Sequence, residues 1–415
     1  ASVAGLAALP DVNVPVDLRG TLSDQHVRVK SQAIYGELYY DINDTTKLTV
    51  GLRYDDLTNA TTTFNGGLLA SNWIAAGGPA YDNRMDVPGL TSYLVQNDSA
   101  TNGMVAIQKY LQDDVMVYGS YTTASKGAGV NGGTDPVPYD QEDTAVLDFG
   151  LKAKLLDGAM LLNMNVFQND NSGMLLATIR NTEAFNINVD AEVKGFEGLM
   201  KVFLSDTTSI DLSWLFVDAE ITSDTTTGNY LEPAGATGIL QYLGPVDPQG
   251  TGFLTGAVFN NGQIWYKSGG FNCLTPLGFN PAAGVLCPLS EANPVSLQGN
   301  DLPGVADTSY SLAFTQLFPG DNGVTSARLS YRYRGESNGD PFNMSRFDVP
   351  EQKQFDFLLR YTPNNGDWYV GMYAKNLADD QSMNAIRSGS NAQGGQLYAS
   401  FTDPRTWGIQ FGSSF

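Results

Sequence analysis

The feature of this sequence that most constrains its fold is an alternation of apolar and polar residues with period two, repeated in segment after segment along 415 residues. In 405–415, Trp407, Ile409, Phe411 and Phe415 share one face, while Thr406, Gly408, Gln410, Gly412 and Ser414 share the other. Successive side chains of an extended chain point to opposite sides, so this pattern specifies a strand; a helix would need apolar spacings of three and four. Aromatics at both ends of the apolar stripe suit a strand that crosses two polar boundaries. The pattern recurs with Leu48, Val50, Leu52 and Tyr54 set against Thr49, Gly51 and Arg53. It recurs with Ala145, Leu147, Phe149, Leu151, Ala153 and Leu155 against Asp148, Gly150, Lys152 and Lys154. In 327–334, Ala327, Leu329, Tyr331 and Tyr333 oppose Arg328, Ser330, Arg332 and Arg334, and in 355–361 the apolar face is Phe355, Phe357, Leu359 and Tyr361.

A soluble sandwich also alternates, but these segments run about ten residues, the length of a tilted membrane crossing. Their polar faces carry Gly and Arg, as a protein-filled lumen requires. No apolar run reaches the ~18 residues of a transmembrane helix. The connections alternate between short and long. Asn43-Asp44-Thr45-Thr46, Gln112-Asp113-Asp114, Leu156-Asp157-Gly158, Ser205-Asp206-Thr207-Thr208, Gly320-Asp321-Asn322-Gly323 and Asn364-Asn365-Gly366-Asp367 all carry turn chemistry. Together these features predict an all-β, transmembrane antiparallel β-barrel with short periplasmic turns and long extracellular loops.

About thirteen strands are predicted, near 27–41, 47–60, 103–111, 115–126, 142–155, 159–171, 185–204, 209–222, 306–318, 324–336, 351–362, 367–378 and 404–415. A bulge is expected at Lys194-Gly195-Phe196, where alternation breaks. Residues 1–26 read as an extracellular loop or lead-in, 27–415 as barrel, and 224–304 as a long extracellular loop. The first and last predicted strands both descend, whereas a closed single-chain bacterial barrel has an even number. Either a strand lies within 1–25, where Pro10 and Pro15 argue against it, or several lie outside this sequence. No basic n-region precedes the apolar stretch 1–9, so no signal peptide is read, and the chain is expected to be incomplete at its start.

A net charge of -21 repels phosphate backbones, which excludes a nucleic-acid partner. Acidic loops that keep an aromatic-rich surface soluble are the simplest source of that charge. Cys273 and Cys287 lie in one Gly/Pro/Asn-rich loop with no histidine beside them, which argues against zinc. In an oxidising compartment they are expected to form a local disulfide, with two buried thiols as the alternative. The one histidine, His26, sits in a polar stretch and reads as solvated. No phosphate loop, metal cluster or nucleophile elbow occurs, and the adjacent pairs Asp55-Asp56 and Asp113-Asp114 read as turn and loop residues. No enzyme, cofactor or metal is therefore expected.

The strongest binding candidates are cations of the polar faces. Arg328, Arg332, Arg334 and Arg360 project to one face of neighbouring strands, with Lys375 beside them if Tyr369, Gly371 and Tyr373 face the same way. Such guanidiniums hold an anionic ligand or pair with carboxylates of a plug or of the barrel itself. Loop aromatics, including Trp73, Tyr81, Trp265 and Tyr266, are candidates for a ligand mouth or for mutual loop packing.

Several motifs, in order, resemble the TonB-dependent receptors of Gram-negative outer membranes. Val370-Gly371-Met372-Tyr373-Ala374-Lys375-Asn376-Leu377-Ala378-Asp379 resembles the family's penultimate strand with its Asn-Leu-x-Asp ending. Asp403-Pro404-Arg405-Thr406-Trp407-Gly408-Ile409-Gln410-Phe411, ending in Phe415, resembles the closing strand. Tyr118-Gly119-Ser120-Tyr121 with Ser125-Lys126-Gly127, Val193-Lys194-Gly195-Phe196-Glu197, and Tyr35-Gly36-Glu37-Leu38 with Leu52-Arg53-Tyr54 resemble mid-barrel segments. The resemblance implies a plugged barrel of about twenty-two strands, of which this chain would hold the last thirteen. It implies energy-coupled import of a scarce nutrient (siderophore–iron, cobalamin, or a glycan or other organic compound). The implied partners are outer-membrane lipid, the TonB system acting through an N-terminal plug, and the ligand. Two rivals remain at this stage: a passive fourteen-strand outer-membrane channel, and a surface barrel whose loops bind a lipoprotein or other surface protein.

Overall fold

The computed structural model describes residues 23–65, 91–131, 137–180, 183–228, 257–260, 263–267, 286–288, 294–388 and 397–413. Thirteen strands form one sheet: β1 (Ser23–Asn43), β2 (Thr46–Asn65), β3 (Thr91–Gln112), β4 (Val115–Lys126), β5 (Glu142–Leu155), β6 (Met160–Arg180) and β7 (Glu183–Ser205), then β8 (Thr208–Ile221), β9 (Thr308–Gly320), β10 (Gly323–Arg334), β11 (Gln352–Pro363), β12 (Trp368–Lys375) and β13 (Thr406–Ser413). Each strand pairs antiparallel with its neighbours in chain order, so short turns gather at one end of the sheet, and the connections at the other end are long except between β6 and β7, where Arg180 pairs with Glu183.

The register keeps each predicted apolar stripe on one continuous face, here called the outer face. Phe357 lies opposite Leu329, Leu329 opposite Phe314, Phe314 opposite Ile210, Ile210 opposite Val202, Val202 opposite Met160, and Met160 opposite Leu155. A second row runs Leu147, Tyr121, Val105, Val50, Leu38. These side chains are not covered by protein: Leu38 is 63% exposed, Phe149 56% and Trp407 77%. Aromatics cluster at both ends of the stripe. Near the long-loop end Tyr310 stacks on Tyr333, with centroids 4.9 Å apart, and Tyr331 meets Phe355 at 4.6 Å. Near the short-turn end Trp368 lies 5.7 Å from Tyr361 and 6.4 Å from Phe411.

The structure corrects several local expectations. No bulge occurs at Lys194-Gly195-Phe196, which pairs in register on both sides. The irregularity falls at Ser172-Gly173 on β6, between the pairs Asn171–Ala191 and Met174–Val189. Gly173 has φ +69°, and a Cβ there would stand 2.6 Å from the Gln141 carbonyl oxygen, so only glycine fits. Asp55 and Asp56 lie inside β2, and Arg53 holds Asp55 at 2.6 Å. His26 lies in β1, opposite Thr62, rather than in a loop. Strands β2, β3, β6 and β7 run well past the length of a crossing, because their outer halves continue the ladder as hairpins.

Beyond the long-loop end, chain segments pack into a collar. The return of the long loop is pinned along the edge of β8: Gly299 N–H donates to the Ile221 carbonyl, Ile221 N–H to the Asn300 carbonyl, and Leu302 N–H to the Ala219 carbonyl. This buries Ile221 and Leu297 fully, among Leu176, Val189, Ala191, Ala219 and Leu302. Asn300 Nδ2 then donates to Pro341, and Gly304 N–H to Asn338, which joins this segment to the next loop. There Phe347, Val349 and Ile386 form a second small core. The Asn-Leu-x-Asp and Pro-Arg motifs meet here. The buried Asn376 side chain donates to the carbonyls of Asp380 and Asp403, while Asp379 Oδ1 accepts Arg405 N–H at 2.7 Å.

Candidate functional site

The inner face of β8–β12 brings the predicted cations together. Arg328, Arg332 and Arg334 alternate along β10, and register places Arg360 beside Ser326 and Tyr373 beside Leu358, so Lys375 shares that face. The geometry then decides what each cation is free to do. Arg328 is paired at 2.6 Å with Asp211 of β8 and donates to Thr315 Oγ1; Lys201 reaches the same carboxylate at 3.3 Å. Arg332 pairs with Asp356, whose other oxygen accepts Asn376 N–H at 2.9 Å, and also donates to Gln354. Arg334 donates to the Gly304 carbonyl at 2.8 Å and to Ser337 Oγ at 3.2 Å, so it fastens the collar to the wall. The Arg360 guanidinium carbon lies over Tyr369, 3.7 Å from the ring centroid, and Lys375 Nζ lies 5.8 Å from the ring centroid of Tyr373. Among the described residues two carboxylates, Asp211 and Asp356, thus answer Arg328, Lys201 and Arg332, while Arg334, Arg360 and Lys375 are held by neutral partners, so the patch keeps net positive charge.

A groove of ≈ 660 Å³ opens along this face, lined among others by Asn165, Glu197, Ser213, Ser311, Arg332 and Gln354. Sequence reasoning missed Asp211, Lys201, Asp356 and Glu197, although period two alone assigns Asp211, Lys201 and Glu197 to polar faces. Their pairing with β10 needed the register, since Asp211 is separated from Arg328 by the long loop. Of the predicted mouth aromatics, Trp73 and Tyr81 lie outside the described residues. Trp265 and Tyr266 belong to the strand Gln263–Lys267, paired with Ala257–Asn260 and Leu286–Pro288. Cys287 lies opposite Tyr266, and Cys273 is outside the described residues.

A model described as TonB dependent receptor-like, beta-barrel matches residues 6–377. The ferric yersiniabactin uptake receptor FyuA from Yersinia pestis is similar at 16% identity and a TM-score of 0.64, over 94% of this chain and 46% of that one. The siderophore receptor PiuA from Acinetobacter baumannii is similar at 16% identity and a TM-score of 0.60, over 94% and 43% of the two chains. The copper transporter OprC is similar at 15% identity and a TM-score of 0.59, over 94% and 48%. At these identities the likeness is one of fold, and the chain spans less than half the length of each structure. No curated protein matches the sequence.

Proposed function

The chain belongs to the TonB-dependent receptor-like β-barrel family, and from that premise we propose that it forms wall and mouth of an energy-coupled nutrient importer in a Gram-negative outer membrane. The observation that carries this reading is the contrast between the two faces of β8–β13. The outer face is apolar, aromatic-edged and exposed, while the inner face is polar, ion-paired and grooved. Lipid against the first and a protein-filled aqueous lumen against the second is the arrangement that satisfies both. The short turns then face the periplasm and the collar faces outward.

Two of the similar structures are siderophore receptors and one is a copper transporter, so a metal-carrying small molecule is the first ligand class to test, ahead of cobalamin and glycans. The collar would shape the ligand's entry. The amides and hydroxyls of the inner groove, with Arg332, would line its path, and the Arg328–Asp211–Lys201 cluster would seat a plug. Among the described residues the sheet has two edges, β1 and β13, which run in the same direction because successive strands alternate and both are odd in the order. Unpaired edges cannot stand in hydrocarbon, and direct β1–β13 pairing would be parallel. An odd number of further strands closes the wall with every junction antiparallel.

The test is uptake by whole cells. Labelled ferric siderophores, cobalamin and oligosaccharides are supplied to cells with and without this gene, in backgrounds with and without a working TonB system. The proposal expects uptake of one class that needs both. Unchanged uptake of all three on deletion, or gene-dependent uptake that survives loss of TonB, would contradict it; the latter would point to a passive channel.

A further inference from the structure

The outer face is not uniform. On β3–β7, Ile107, Val117, Phe149, Leu151, Met164 and Val166 line an apolar groove of ≈ 600 Å³. Its floor is opened by Gly119: the Phe149 ring lies across this residue, where a Cβ would come within 2.8 Å of the ring. At one end the groove is lined by Lys109, which is opposite Val117 on β4 and opposite Thr46, the first residue of β2. Lys109 therefore sits at the short-turn boundary, on the face that meets lipid.

This lysine differs from Lys194 and Lys353, which lie on the same face toward the other boundary. There Lys194 is neutralised by Glu192 at 3.0 Å and Asp218 at 3.3 Å, and Lys353 by Glu351. Among the described residues Lys109 makes no ion pair. A long apolar stem with an unneutralised ammonium at a membrane boundary suits an anionic headgroup atom at the same depth. Just beyond it, toward water, the turns carry Asp113 and, in the adjacent turn, Asp44, while Asp114 is paired with Lys154 at 4.0 Å; Tyr110 N–H donates to the Thr45 carbonyl and holds the two turns side by side. Cation then anion, read outward from the apolar groove, is the complement of a zwitterionic headgroup whose phosphate precedes its ammonium.

We propose that this groove is a docking site for a phospholipid with a primary-amine headgroup, of the phosphatidylethanolamine class. An acyl chain lies over Gly119 and Phe149, the phosphate meets Lys109, and the ammonium meets the acidic turns. The site rests on the membrane placement of the outer face and is independent of what, if anything, the barrel imports.

The test uses protein extracted from its own outer membranes in mild detergent, with retained lipid quantified by mass spectrometry per mole of protein. The wild type is expected to retain phosphatidylethanolamine over phosphatidylglycerol and cardiolipin. Lys109→Gln is expected to lower that retention about fivefold, the worth of one cation against a headgroup. Lys109→Arg should restore it, and Lys353→Gln, at the opposite boundary, should leave it unchanged. Heat-modifiable migration of each variant shows that the barrel is assembled. Equal retention by wild type and Lys109→Gln would overturn the site, as would a preference for the anionic lipids, which would leave the acidic turns without a role.

Discussion

Leu329 and Leu297 are the same side chain in two solvents. Leu329, at the middle of β10, is 46% exposed, while Leu297, in the collar, is 0% exposed. Both regions are rich in apolar residues, yet the wall displays them and the collar hides them. A water-soluble chain would be expected to bury both, so the difference is the one that a wall set in hydrocarbon and a collar set in water would show. It also separates what holds each region together. The wall depends on its hydrogen-bonded ladder and on lipid that fills any gap, whereas the collar depends on its own packing.

The comparison is broken most severely in the collar. Leu297→Ala leaves a cavity that no solvent fills, with an expected cost of about 2–5 kcal/mol to the local structure. Hydrogen exchange across 297–305 should rise while the ladder of β9–β11 stays protected. The matching change on the wall, Leu329→Ala, should cost less, because acyl chains refill the space; an equal effect would mean that the wall is packed against protein.

A charge tests the wall from the other side. Leu329→Arg or Phe357→Arg is expected to cost about 2–4 kcal/mol near the bilayer midplane, read by reversible unfolding in liposomes. A neutral result would reverse the assigned faces.

The inner face is predicted to respond weakly. Asp211→Asn removes the partner of Arg328, but both side chains are partly exposed, at 29% and 41%, so the loss should be no more than about 1 kcal/mol and should shrink with added salt. A larger, salt-insensitive loss would show that the pair is sealed from water.

The smallest effect is a pH dependence confined to the collar. Burial pushes the Asp340 carboxyl above the ordinary aspartate value, although it accepts Phe342 N–H at 2.7 Å and Met344 N–H at 3.2 Å. A raised folded value means that the folded state holds its proton to higher pH than the unfolded state does. The contribution is thus fully present below the ordinary value of 3.8 and is lost as pH rises through the raised one. Exchange across 335–349, corrected for its intrinsic rate, should slow as pH is lowered through the raised value toward the ordinary one, and Asp340→Asn should flatten the response.

The same contrast explains what was legible in the sequence. Every strand of the wall was, because period two is local and the register kept each stripe intact, from Leu48 through Phe411. The common face of Arg328, Arg332, Arg334 and Arg360 followed from the same periodicity. The partners did not, because Asp211 lies across a long loop from Arg328 and only the β8–β9 and β9–β10 registers bring them together. The collar was invisible for the same reason: Leu297 and Ile221 are neighbours only through backbone bonds between a loop and a strand end. Hairpin extensions such as 91–97 fell outside the predicted strands, and their pairing with 58–64 places them in the ladder. The break in pattern at Lys194-Gly195-Phe196 misled because a lysine held by Glu192 and Asp218 sits in regular ladder on the outer face, above the apolar band.

The central claim, that one face of the sheet meets lipid and the other an aqueous lumen, is tested most directly by spin labels placed singly from 327 to 333 in the protein reconstituted in bilayers. Collision with oxygen, which concentrates in lipid, should peak at 327, 329, 331 and 333, and collision with a polar nickel chelate at 328, 330 and 332. An alternation of the opposite phase, or none at all, would contradict the account.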